Sequence, residues 1–112
     1  NAAKYADAMG DLERVRMPVI DRRAWSVYNQ FTVLADDRDG LMLRLREKGI
    51  GCAVYYPLPL HMQECFSYLG YSGGDFPVSE KSSEKVISLP VFGELTDAEI
   101  TEVATAVREF YA

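Results

Sequence analysis

Few side chains in this sequence could hold a proton or attack a carbon near neutral pH, and they are not arranged as a catalytic set. There is one histidine, His61, and two cysteines, Cys52 and Cys65. His61 closes the run Cys52-Ala53-Val54-Tyr55-Tyr56-Pro57-Leu58-Pro59-Leu60-His61. Pro57 and Pro59 fix their own φ and push their predecessors out of the helical region, so this run is extended and stiff. Tyr55 and Tyr56 bring hydroxyl tips to one end of it and His61 an imidazole to the other. Such a segment either presents polar groups to a ligand or another domain, or closes a strand over its own core. A nucleophilic triad is not supported, because no serine lies in a strand-to-helix elbow and no acid is placed to orient His61. Lys4, Lys48, Lys81 and Lys85 lie among polar neighbours, whereas a Schiff-base lysine needs a desolvated pocket. The spacing of Cys52 and Cys65 matches no zinc or redox motif, so no metal site is expected. Gly73-Gly74 lacks the flanks of a phosphate loop. By pattern alone the chain carries binding residues and no catalytic ones.

The elements that must position these residues follow from periodicity. Asn1 to Leu12 reads as a helix with Tyr5, Met9 and Leu12 on one stripe and no capping pattern to open it. Val15 to Ile20 contains Pro18 and is a connector or an edge strand. Trp25 to Leu34 alternates as a strand, with Trp25, Val27, Asn29, Phe31 and Val33 on one face. Tyr28, Gln30 and Thr32 fall on the other. Asp36 to Lys48 is a helix, capped by Asp36 or Asp37 and stopped by Gly49, with Leu41, Met42 and Leu45 inward. Ile50 to Tyr55 reads as a second strand. His61 to Leu69 reads as a short helix with Met62, Cys65, Phe66 and Leu69 on one side, and Ser79 to Val86 as a polar helix. Ser88-Leu89-Pro90 is extended. Thr96-Asp97-Ala98-Glu99 is a capping box opening a final helix whose apolar face is expected to pack on a sheet. The sum is one α+β domain of two layers, a short, mainly antiparallel sheet covered by helices.

Bulk composition narrows the functional classes. The chain has 112 residues, 48% of them hydrophobic and 26% charged, which suits one small globular domain. Net charge is −5 and the arginines are dispersed among acids, which argues against nucleic-acid binding. No apolar run approaches the ~20 residues of a membrane helix. The isolated cysteines, read as small hydrophobes, suit a reducing cytoplasm.

Several motifs together resemble one family. They are Tyr28-Asn29-Gln30-Phe31, the helix from Arg38-Asp39 to Glu47-Lys48-Gly49-Ile50-Gly51, and Tyr55-Tyr56-Pro57-Leu58-Pro59-Leu60-His61-Met62-Gln63. Leu69-Gly70-Tyr71, Asp75-Phe76-Pro77, Ser88-Leu89-Pro90 and Glu94-Leu95-Thr96 follow in order. This set is similar to the C-terminal small domain of the DegT/DnrJ/StrS-type sugar aminotransferases, fold-type I enzymes dependent on pyridoxal 5'-phosphate.

The resemblance implies a whole enzyme that moves an amino group, usually from glutamate, onto a nucleotide-linked keto-sugar in polysaccharide or related biosynthesis. It implies a homodimer whose cofactor, Schiff-base lysine and phosphate-binding residues belong to a large domain outside this chain. Residues 1–14 would be the end of the interdomain helix and 15–112 the small domain, and this segment alone would be inactive and bind no cofactor. Tyr55, Tyr56 and His61 match substrate-facing positions, with tyrosine standing at Tyr55 where the family usually has histidine. His61 could equally be a loop anchor. Tyr28, Asn29 and Gln30 match a motif near the domain interface. Two rival readings remain: a sugar 3-dehydratase of the same fold, in which histidine replaces the large-domain lysine, and a stand-alone binding module.

Overall fold

The computed structural model describes residues 1–112. Its elements in chain order are helix α1 (Ala2–Met9), strand β1 (Val15–Arg16), strand β2 (Phe31–Ala35), helix α2 (Arg38–Glu47), two 3-10 turns (Leu60–Met62 and Glu64–Leu69), helix α3 (Pro77–Lys85), strand β3 (Val86–Leu89) and helix α4 (Asp97–Tyr111). The strands form one antiparallel sheet in the order β1-β2-β3. This is the expected α+β arrangement of a short antiparallel sheet with helices over it.

Strand alternation sorts the sheet's two faces. Phe31 pairs with Leu89, Val33 with Ile87 and Ala35 with Val15, which places six buried apolar side chains on one face. Helices α1, α2 and α4 close that face. Tyr5 of α1 stacks on Phe31 with ring centroids 5.0 Å apart, and its hydroxyl donates to the Pro90 carbonyl. Leu41 and Leu45 enter from α2, and Ile100, Val103, Ala104 and Val107 from α4. Helix α4 packs chiefly along α1 and α2, and reaches the sheet through the core they share. Its capping box is formed as expected: the Glu99 amide donates to the Thr96 hydroxyl, and the Glu99 carboxylate accepts from the Thr96 amide.

The other face of the sheet carries Thr32, Leu34, Val86 and Ser88. Only α3 lies over it, and it is tied down by Arg38. That buried guanidinium donates through Nη1 to the carbonyls of Ser83 and Val86, at 3.1 and 3.0 Å, where α3 ends. A cation there meets the negative end of the helix dipole.

Three expected elements differ. The strand expected from Trp25 begins only at Phe31, where the register with β3 ends at Leu89; β1 pairs no further than Leu34. Trp25 and Val27 are exposed, Asn29 and Gln30 form an exposed bend, and Tyr28 takes a positive φ of 49°, outside the β region. The strand expected over Ile50 to Tyr55 shrinks to Ala53, which exchanges two backbone hydrogen bonds with Ser88 on the outer side of β3. Pro57 and Pro59 prevent the ladder from continuing. The helix expected over His61 to Leu69 is a pair of 3-10 turns with no fully buried residue, and Cys65 is exposed rather than packed among apolar neighbours.

Candidate functional site

The uncovered part of the outer sheet face is a cleft of about 370 Å³. Its floor is a cross-strand pair, Thr32 on β2 and Ser88 on β3, with hydroxyl oxygens 2.7 Å apart. One wall is α3, which contributes Ser79, Ser82 and Ser83; their i, i+3, i+4 spacing puts three hydroxyls on one helix face. The opposite wall is the stiff run through Ala53, Val54, Tyr55, Tyr56, Pro59 and Leu60. Gln30 stands at the rim. The two backbone bonds of Ala53 to Ser88 dock this run against the sheet and fix where Tyr55 and Tyr56 emerge.

No side chain lining this cleft carries a charge at neutral pH. It offers hydroxyl groups, one amide and apolar surface. That combination complements an uncharged ring bearing several hydroxyls: hydrogen bonds orient such a ligand while tyrosine and leucine cover its apolar faces.

Of the residues singled out from the sequence, Tyr55, Tyr56 and Gln30 come together on this cleft. Asn29 sits next to it, sharing a smaller depression with Gln30, Tyr55 and Phe92. Tyr28 is half-buried with its ring tilted against Phe31, at 6.1 Å between centroids, and does not line the cleft.

His61 is held differently. Its side chain is only 7% exposed and Nε2 lies 2.8 Å from the Glu80 carboxylate. Its ring meets the edge of Phe76 at 4.8 Å, and Phe76 in turn meets Tyr71. The same Glu80 carboxylate accepts the amides of Gly74, at 2.9 and 3.0 Å, and of Phe76. His61, Gly74 and Phe76 together hold its pKa below the ordinary glutamate value, the imidazole contributing most. This acid therefore clasps the glycine loop of residues 70–77 to the histidine that ends the proline run. Sequence reasoning missed Glu80, whose place in the first turn of α3 is explained equally well by the helix dipole. It also missed the three serines, although their helical spacing was legible.

No group of three or more His, Cys, Asp or Glu side chains converges. All four lysines are exposed, and three are ion-paired: Lys4 with Asp97, Lys48 with Glu109 and Lys85 with Asp36. None sits in the desolvated pocket that a Schiff-base lysine needs, so the chain's own residues do not fit pyridoxal phosphate. No helix is long and apolar enough to cross a membrane.

Comparison with known proteins accounts for such a domain. The family model for the DegT/DnrJ/EryC1/StrS aminotransferases matches residues 1–108, and the chain belongs to that family. Its relatives include the "pleiotropic regulatory protein" of Geobacillus stearothermophilus, 43% identical over 99% of this chain and 30% of that protein. Another is the UDP-N-acetyl-3-dehydro-alpha-D-glucosamine 3-aminotransferase of Acidithiobacillus ferrooxidans, 35% identical over 96% of this chain and 28% of that protein. Among solved structures, DesV of Streptomyces venezuelae, in complex with a ketimine intermediate, superimposes with a TM-score of 0.92 at 30% identity. The match covers 97% of this chain and 29% of DesV. The chain thus spans about 30% of the length of the relatives it matches, and its fold is that of a small domain in fold-type I aminotransferases.

Proposed function

We propose that this chain is the C-terminal small domain of a nucleotide-sugar aminotransferase, with residues 1–14 ending the helix that enters it and residues 15–112 forming the domain. The observation that carries the reading is the uncharged, hydroxyl-lined cleft framed by Tyr55 and Tyr56, in a family whose named members aminate UDP- and dTDP-linked sugars. The Tyr55 and Tyr56 hydroxyls and the Gln30 amide bind and orient the sugar, and the run that carries them shields it from water. His61 acts through Glu80 by setting the position of that run. Tyr28, Asn29 and Gln30 form the edge against the neighbouring domain.

In the whole enzyme the keto group of the sugar is exchanged for the amino group of glutamate, which leaves as 2-oxoglutarate. Pyridoxal phosphate, held by a large domain, supplies the electron sink for that exchange. This chain contributes positioning only and is inactive by itself. The enzyme works as a cytoplasmic homodimer.

The test is kinetic. In the full-length enzyme with a keto-sugar nucleotide, Tyr55→Phe and Tyr56→Phe each raise KM for the sugar by roughly 2- to 10-fold, the worth of one neutral hydrogen bond. The KM for the amino donor stays unchanged. Unaltered sugar KM in both variants rejects the assignment of the cleft.

A further inference from the structure

Residues 54–76 run from the docked Ala53 to the start of α3 with almost no core of their own. A single residue in this stretch, Pro59, is buried. Its large apolar side chains face outward instead, with Tyr68 78%, Tyr56 64% and Leu60 57% exposed. The two 3-10 turns within it pack chiefly on each other. Burial therefore does little to hold the stretch against the sheet, and its attachment rests on hydrogen bonds.

Those bonds are unevenly placed. The amides of Met62, Gln63, Phe66, Gly70 and Asp75 all donate to carbonyls inside the stretch. The side chains of Gln63, Cys65 and Asp75 also bond within it. Every hydrogen bond that leaves the stretch ends on one residue, Glu80. Its carboxylate meets the His61 imidazole and the Gly74 and Phe76 amides, and its own amide donates to the Phe76 carbonyl at 3.0 Å. The two ends of the stretch are joined to each other as well, since the His61 ring meets Phe76 and Phe76 meets Tyr71 at 4.9 Å. Pro57 and Pro59 stiffen the piece between Tyr55 and His61. The stretch is thus connected within itself and held from outside at one point.

We propose that residues 54–76 are a lid over the hydroxyl-lined cleft, opening as one unit and latched by Glu80. Its fixed ends are Ala53, which exchanges backbone bonds of 3.1 and 2.8 Å with Ser88, and Pro77, the first residue of α3. Opening carries away the cleft wall from Val54 to Leu60, and leaves the Thr32–Ser88 floor and the α3 serines open to solvent. A ligand enters from that side and is enclosed when Glu80 engages again. Openings of this kind involve the least stable cooperative unit of a fold, and a stretch without a core is that unit here. The lid follows from bonding and burial alone, whatever the cleft binds.

The test is native-state hydrogen exchange of the 15N-labelled chain, read amide by amide by NMR at low urea concentrations. The amides of Met62, Gln63, Phe66, Gly70, Gly74 and Phe76 should exchange through one opening, with a common protection and a common urea dependence. Both should be smaller than those of the core amides of Val33 and Val103. Glu80→Gln raises the lid rates together by about tenfold, as weakening of bonds to a charged acceptor requires. Thr96→Ala, which lowers global stability without touching the lid, speeds Val103 and leaves the lid amides within about twofold. If Glu80→Gln loses its native spectrum, His61→Gln, which removes one partner of the latch, must speed the same amides severalfold. Acceleration confined to Gly74 and Phe76 overturns the lid by making the clasp local. It is equally overturned if Thr96→Ala speeds the lid amides as much as Val103, or if they are unprotected in the parent chain.

Discussion

Replacing Arg38 with methionine isolates the interaction that holds the cleft wall in place. The aliphatic stem is kept, and the guanidinium that donates to the Ser83 and Val86 carbonyls is lost. Bonds from a charged donor contribute about 1.5–3 kcal/mol each, and the upper figure does not apply to Val86, which is only part-buried and can regain water. The ion pair with Asp39 adds little, because that carboxylate is 78% exposed. The total is about 3 kcal/mol, a large share of the ~5–15 kcal/mol that stabilises a domain. For a domain of this size it lowers Tm by roughly 10–20 °C. Thermal and urea melts followed by circular dichroism measure the loss, and hydrogen exchange should show it concentrated in the last turn of α3. Arg38→Lys, which keeps the charge without the fork, should fall between the two. A destabilisation below about 0.5 kcal/mol for Arg38→Met would refute the view that α3 is held by these bonds.

Glu80→Gln should loosen the loop of residues 70–77, seen as faster exchange of the Gly74 and Phe76 amides with the core amides unchanged. The pH dependence has a defined sign. Since the folded-state pKa of Glu80 lies below the ordinary value of 4.5, its contribution is complete above pH 4.5 and is lost as pH falls through the folded value. Melts of Glu80→Gln should therefore lose part of the acid-side slope of the parent chain; an identical slope would contradict the clasp. Thr96→Ala removes the forward half of the capping box and should destabilise by about 1 kcal/mol in urea melts. Leu45→Ala, at a fully buried position, should destabilise by about 2–5 kcal/mol, and a smaller loss would mean that the core closes around the gap.

Helix ends and the core were readable because local chemistry decides them. Asp37 caps α2 through a bond to the Gly40 amide, and Gly70 ends the second 3-10 turn with a φ of 76°. Tyr5, Met9, Leu41 and Leu45 are buried where helical spacing puts them. Strand extents were not readable in the same way. Residues 25–30 have strand-forming side chains but no neighbouring strand to pair with, and pairing partners are a tertiary fact. The Tyr55 and Tyr56 positions were found because prolines announce a stiff run. The Thr32–Ser88 floor was hidden because the pair is 56 residues apart in sequence. Glu80 was hidden because its bond to His61 spans 19 residues of irregular chain.

The most direct test of the central claim is a transamination assay on the full-length protein that contains this segment. It is incubated with pyridoxal phosphate, glutamate and a UDP- or dTDP-linked 3-keto-sugar, and the products are read by mass spectrometry with 15N-glutamate as donor. The account predicts a 15N-labelled amino sugar formed together with 2-oxoglutarate, and no product from the 112-residue chain alone. Absence of 15N transfer to any nucleotide-linked keto-sugar by the full-length protein, or transfer by the isolated chain, would contradict it.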